Sequence, residues 1–284
     1  MFVVTLLMVS SAVAESQFLA AGGQSIESYC ALLVELARDQ RVTQDNCGIL
    51  RGPRDRRKIA LIFTGGSFAE GYADVHRALT ALNVKASFFF TDDFLRTDEF
   101  QPLVHELLSE GHYIGPHSDR HLTLVNEHGR TLVSRNVFDS DLRNNLTELA
   151  RSGVDLKNIS FWIPPNEAYN REISEWSFEL GVELFNFSPG TYSNTDYLGD
   201  HEPGFTDNET IEKSILDLAA RPGGLNGFLL LLHLGAGPER TVQFSTRLPA
   251  LLPQLAQMGY NFVRVDEMLT PELARSIGRR RGDR

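Results

Sequence analysis

From Lys58 onward, seven short apolar runs alternate with helix-length amphipathic stretches, and this alternation limits the fold more than any other feature. The runs are KIALIF (58–63), KASFFF (85–90), YIGPH (113–117), SFWIPP (160–165), ELFNF (183–187), GFLLLLHL (227–234) and NFVRV (261–265). Helical periodicity fills the intervals at 73–82, 100–110, 137–151, 171–180, 209–220 and 244–258, and Gly111, Gly181 and Gly259 follow three of them as left-handed stops. Strands that each alternate with a helix make a parallel sheet with helices on its faces. The run at 227–234 is apolar on both faces and suits a fully buried strand. Seven such units in a chain of this length predict an α/β fold whose parallel sheet is closed, or nearly closed, into a barrel. An open doubly wound sheet is the alternative, but no G-x-G-x-x-G follows the first strand.

In both architectures the working residues sit in loops beyond the C-terminal ends of strands. The first such loop is Thr64-Gly65-Gly66-Ser67-Phe68-Ala69-Glu70-Gly71, and the third carries His117 and His121 in HSDRH. The fourth runs Pro164-Pro165-Asn166-Glu167-Ala168-Tyr169-Asn170, the fifth holds Asp196 and Tyr197, and His233 ends the sixth strand. Residues four apart share one face of a helical turn, ~5–6 Å between Cβ atoms, and imidazole is the commonest side-chain ligand of zinc-like ions. His117 and His121 are therefore read either as a pair that shares a metal or as a plain surface or helix-start pair. His233 ends a strand too apolar to carry an idle imidazole cheaply. Bland readings stand beside these: Glu70 as a helix-start acid, Glu167 as the N-terminal carboxylate of the helix at 171–180, and Trp162 as core.

The chain opens with MFVVTLLMVSSAVAESQF. Residues 2–13 are uncharged, and Ala12-Val13-Ala14 is a small-x-small cleavage pattern before Glu15. This predicts a secretory signal peptide over 1–14, cleaved after Ala14, and a secreted or periplasmic product; no later segment is apolar enough to span a membrane. The expected order continues with an N-terminal extension at 15–57 containing a helical cap around 25–39, a barrel domain at 58–270, and a basic tail at 271–284. Cys30 and Cys47 are the only cysteines, read either as one disulfide or as two free thiols. A net charge of −10 argues against nucleic acid as a partner. N-x-[ST] patterns stand at Asn145, Asn158, Asn186 and Asn208. No oligomeric state is fixed by these features.

The order of these loops resembles the NodB-type polysaccharide deacetylases, carbohydrate esterase family 4, from about residue 58 to 269. HSDRH matches that family's H-[ST]-x-x-H, Leu231-Leu232-His233 its late L-x-H, and Asp196-Tyr197 looks like its Asp-aromatic element. The resemblance implies the NodB fold, a distorted (β/α)7-type barrel, together with a divalent metal and removal of acetyl groups from a carbohydrate. Two departures mark a divergent branch. The family's T-F-D-D-G, with its base and its metal-binding Asp, is replaced by Ile62-Phe63-Thr64-Gly65-Gly66, and the Arg before the proline motif is replaced within Trp162-Ile163-Pro164-Pro165. The expectation drawn here is a rebuilt site. His117, His121 and Glu70 hold Zn2+ (or Co2+ or Ni2+), Glu167 is the base, and His233 oriented by Asp196 is the acid. Trp162, Tyr169, Asn170 and Tyr197 line the sugar cleft. N-acetyl groups are favoured over O-acetyl groups. The rivals are a metal-poor sugar-binding pseudoenzyme and a glycoside hydrolase working with Glu70 and Glu167.

Overall fold

The computed structural model describes residues 25–282; the expected leader, residues 1–14, lies outside the described residues. The chain enters through α1 (Ile26–Arg38) and a hairpin of β1 (Thr43–Asp45) and β2 (Gly48–Arg51). All seven apolar runs then form strands: β3 (Lys58–Gly65), β4 (Ser87–Phe90), β5 (Tyr113–Pro116), β6 (Phe161–Trp162), β7 (Glu183–Leu184), β8 (Phe228–His233) and β9 (Asn261–Val263). The helices between them are α2 (Tyr72–Leu82), α3 (Asp92–Arg96), α4 (Gln101–Ser109), α5 (Arg135–Arg151), α6 (Arg171–Glu179), α7 (Asn208–Ala219) and α8 (Leu248–Gln257), with α9 (Val265–Gly282) at the end.

The parallel ladder runs β5-β4-β3-β8, with β9 paired to the first residues of β3, while β6 and β7 form a separate parallel pair. Side chains alternate along β3 as a pleated strand requires. Ile59, Leu61 and Phe63 pack outward in the cluster shared with the helices. Ala60 and Ile62 face the other way, into an interior filled by Phe89, Tyr113, Phe161, Ile163, Phe185, Leu229 and Leu231. Tyr29, Leu32, Leu33 and Leu36 of α1 and Val265, Met268 and Leu269 of α9 complete that interior. The result is the expected α/β fold with its strands set around one core.

Two expected boundaries need correction. The segment before Lys58 is not an appendage, because β2 lies between β7 and β8: Asn186 N–H donates to Ile49 O at 2.8 Å, Ser188 Oγ to Leu50 O at 2.6 Å, and Gly52 N–H to Gly227 O at 2.8 Å. Its strand-like pattern is too short for periodicity to reveal. Residues 271–282 likewise continue α9 rather than forming a separate tail. Cys30 and Cys47 are disulfide-bonded, tying α1 to the β1–β2 turn across 17 residues. A loop of this size is worth ~3 kcal/mol in the chain-entropy account. Among the described residues no helix is long and apolar enough to cross a membrane. Of the four N-x-[ST] asparagines, Asn145 and Asn186 are buried and cannot present an amide to a glycan.

Candidate active site

The HSDRH loop leaves β5 without becoming a helix, which corrects the helical-turn expectation: Ser118 (φ 92°) and His121 (φ 51°) are left-handed, so the chain doubles back and both imidazoles still meet, ring centroids 5.1 Å apart. Two side chains one turn apart on α5 impose this shape. Asn145 Oδ1 accepts from His117 N–H (2.9 Å) and Ser118 N–H (3.1 Å), while its amide donates to Phe90 O and Asp92 Oδ1. Asp141 accepts from Ser118 Oγ–H and from the N–H groups of Asp119 and Arg120. Each is buried, and every bond replaces water that the loop backbone would otherwise need.

His117 Nδ1 lies 2.9 Å from the carbonyl oxygen of Ile163, to which it can only donate, so Nε2 keeps its lone pair. Burial, reinforced by the neighbouring His121, pushes the His117 pKa down to about 3, and the ring is neutral at any working pH. Across the same cavity of about 330 Å3 stand Glu167 and His233, with Thr64, Phe68, Asp93 and Tyr197 also on its walls. Such a volume suits a small ligand or one residue of a larger one.

His233 is set by its carboxylate partner. Nδ1 lies 2.7 Å from Asp196 Oδ1, and the His233 backbone N–H donates to Asp196 Oδ2 at 3.0 Å. Burial works against the charged imidazole, but Asp196, through its charge and hydrogen bond, and then Glu167 outweigh it and raise the pKa. Tyr197 leans on the ring, centroids 4.4 Å apart. Glu167 and the preceding Asn166 are both left-handed, at φ 52° and 55°, a costly pair for residues with Cβ atoms. Burial raises the Glu167 pKa, with His233 opposing and Asp196 reinforcing the rise.

Five expected residues, His117, His121, Glu167, Tyr197 and His233, thus share one cavity, with Asp196 directly behind His233. Four others do not. Glu70 turns away: its Oε1 accepts from the N–H groups of Ala236 (2.9 Å) and Gly237 (2.5 Å), so it braces the loop after β8 instead of offering a ligand. The hydrolase pair Glu70/Glu167 falls with it. Trp162 is 1% exposed and packs edge-on against Phe138 in the core. Tyr169 donates its hydroxyl to Asp45 O, outside the cavity. Asn170 caps α6, accepting from Ile173 N–H while its amide binds Gly129 O and Thr131 Oγ1.

A divalent ion would find two of its donors in this cavity. Two neutral imidazoles suit it, and Thr64 Oγ1, buried on the cavity wall without a hydrogen-bond partner among the described residues, marks a place for a polar guest. Yet His117 and His121 join no group of three His, Cys, Asp or Glu ligand atoms lying within 4.8 Å of one another among the described residues. The carboxylate on the cavity wall beside them is Asp93, exposed and acting electrostatically on His121. It follows Thr91, the N-cap of α3, in a Thr-Asp-Asp stretch at the end of β4 that the sequence reading passed over. Asn145 and Asp141 were missed too, although both fall on the apolar stripe of α5 with Phe138, Leu142 and Leu149.

Residues 51–185 match the sequence profile of the family described as polysaccharide deacetylase. A peptidoglycan-N-acetylglucosamine deacetylase of Bacillus cereus is 26% identical over 223 residues, covering 76% of this chain and 70% of that protein. The peptidoglycan-N-acetylglucosamine deacetylase of Listeria monocytogenes is 25% identical over 220 residues, 78% of this chain but 40% of the relative's own length. The fold is shared with a family 4 carbohydrate esterase of Bacillus subtilis (TM-score 0.64, 18% identity, 85% and 88% of the two chains). It is shared equally with a family 4 pseudoenzyme of Bacillus anthracis (TM-score 0.60, 15% identity, 80% and 70%). From residue 51 to 185, a span that holds β3 through β7 and both histidines, the chain is similar to the polysaccharide deacetylase family.

Proposed function

We propose that this protein is an exported, metal-dependent hydrolase that removes N-acetyl groups from an amino-sugar carbohydrate. The observation that carries the reading is the single cavity on which two neutral histidines face a half-buried glutamate and a carboxylate-braced histidine. Export is supported by the uncharged leader ending in Ala12-Val13-Ala14 and by the Cys30–Cys47 disulfide. His117 through its free Nε2, His121 and the cavity-wall Asp93 would hold a divalent ion such as Zn2+, which would supply Lewis-acid polarisation of the acetyl carbonyl and a more acidic water.

The protein's own groups do the rest. Thr64 Oγ1 orients the attacking water, and the Glu167 carboxylate takes its proton as the new C–O bond forms. As the C–N bond breaks, His233 delivers the Nε2 proton to the departing nitrogen, so acetate and a free amine leave instead of an amide anion. Asp196 holds the ring in the tautomer this requires. Tyr197 and Phe68, exposed at the cavity wall, offer ring faces to the sugar.

A second reading, a pseudoenzyme that binds sugar without cutting it, is favoured by Thr64 and Gly65, which stand where the family carries its Asp pair. Acetate release from N-acetylglucosamine oligomers and from peptidoglycan separates the two. Release by the parent, abolished in His117→Ala/His121→Ala, supports the hydrolase. Sugar binding without release at any metal supplied would establish the pseudoenzyme.

A further inference from the structure

Away from the cavity, near the start of β5, His76 of α2 meets Glu106 of α4 and Glu110 at that helix's C-cap. His76 Nε2, Glu106 Oε1 and Glu110 Oε1 lie within 4.8 Å of one another. The imidazole nitrogen is 2.9 Å from Glu110 and 3.9 Å from Glu106. The group was not anticipated from sequence, since the three residues come from two helices whose helical spacing relates only the two glutamates.

What distinguishes it from an ordinary surface ion pair is the second ring of donors. Ala86 N–H donates to His112 Nδ1 at 3.0 Å, so the proton of this buried imidazole resides on Nε2, which lies 3.2 Å from Glu110 Oε2 and donates to it. Tyr72 donates its hydroxyl to Glu106 Oε2. Each carboxylate therefore has one oxygen tied back by a neighbour and the other turned toward His76. Ligands of a metal centre are oriented in this way by groups that do not touch the ion. Among the described residues neither glutamate forms an ion pair with Lys or Arg, so two negative charges converge on one imidazole. Lys85, the nearby cation, acts on His112.

We infer that His76, Glu106 and Glu110 form a second, peripheral site for a divalent transition ion, with His112 and Tyr72 orienting the two carboxylates. One nitrogen and two carboxylate oxygens suit Zn2+, with water in the fourth position. The ion clasps α2 to α4 on the outside of the sheet, remote from the reaction cavity.

The test is a zinc titration by calorimetry on the full chain carrying His117→Ala/His121→Ala, which removes the cavity's imidazoles. One saturable equivalent is expected, lost when His76→Gln or Glu110→Gln is added, with circular dichroism unchanged. In the parent, His76→Gln lowers the zinc stoichiometry by one equivalent, and Co2+ loaded at this site loses its visible absorption bands in the same variant. Absence of zinc binding in the His117→Ala/His121→Ala chain, or binding that His76→Gln leaves intact, overturns the inference. Acetate release is not the readout, so failure here leaves the proposed function standing, and failure of that function leaves this site testable.

Discussion

Asp196→Asn is the change that most directly probes the proposed acid. Asp196 accepts the His233 Nδ1 proton at 2.7 Å and the His233 backbone N–H at 3.0 Å, and it is 4% exposed, so little solvent screens the pair. Asparagine keeps the shape and one acceptor but removes the charge. A hydrogen bond to a charged group is worth ~1.5–3 kcal/mol, and one pKa unit corresponds to ~1.4 kcal/mol. The His233 pKa should then fall by ~1–2 units. Burial, already working against the imidazolium, becomes the dominant influence. The proposed reaction needs His233 protonated, so the alkaline limb of kcat/KM should move to lower pH by that amount, while metal content stays that of the parent. The acidic limb, assigned to Glu167, should move little. The assay is acetate release against pH for both proteins. An alkaline limb that stays in place, or a variant that loses its metal together with its rate, would refute this assignment of roles.

Other outcomes follow from the same geometry. Glu167→Gln should lower turnover by ~10²–10⁴-fold with metal retained, as loss of a general base does; a rate within a few-fold of the parent removes Glu167 from the mechanism. Asn145→Ala leaves the Ser118 N–H without an acceptor in a buried site, at ~1–3 kcal/mol, and leaves the His117 N–H only its longer bond to Phe90 O (3.2 Å). Denaturant unfolding should show the loss, and zinc affinity should fall with it. The folded-state pKa of His233 is raised above its usual 6.5. Its contribution to stability is therefore fully present below about pH 6.5 and is lost as pH rises through the folded value. The stability gap between the parent and His233→Gln should narrow over that interval. Gly65→Asp should not restore a family-like site, because a Cβ there would lie 2.8 Å from Phe90 and 3.0 Å from Phe94. Overpacking of this kind costs ~1–3 kcal/mol, visible as a lowered Tm without gain of rate.

The sequence carried the fold well because strand and helix periods differ, and a run such as GFLLLLHL has only one comfortable environment. It carried the site less evenly. HSDRH and His233 stood out because imidazoles next to apolar strands need a reason. Glu70 misled, since nothing in FTGGSFAEG reveals that two N–H groups in a loop some 166 residues later would claim the carboxylate. Trp162, Tyr169 and Asn170 lie near the right loop but face the core, β1 and the start of α6, and side-chain direction at an irregular strand end has no period to read. Asn145 and Asp141 were legible in principle. Polar residues on the buried stripe of an amphipathic helix must be bonded to something, and here they hold the histidine loop.

That brace bears on whether the loss of the Asp pair rebuilt the site or abandoned it. At Gly65, on the cavity wall, a side chain would meet the stacked rings of Phe90 and Phe94, 4.1 Å between centroids, so this position has no room for a carboxylate. The rest of the site has not been closed in this way. Asn145, Asp141 and Asp196 remain buried and bonded to the backbone of the two histidine-bearing segments, and Asn166 and Glu167 remain in consecutive left-handed conformations. Buried polar groups and strained residues of this kind cost stability that apolar or glycine substitutes would recover. A fold needing only a sugar-binding groove has no use for an imidazole whose tautomer is fixed on both sides of the cavity. Fixed tautomers, by contrast, are what a ligand nitrogen at His117 and a proton donor at His233 require, and this favours a site rebuilt for chemistry over one kept for binding.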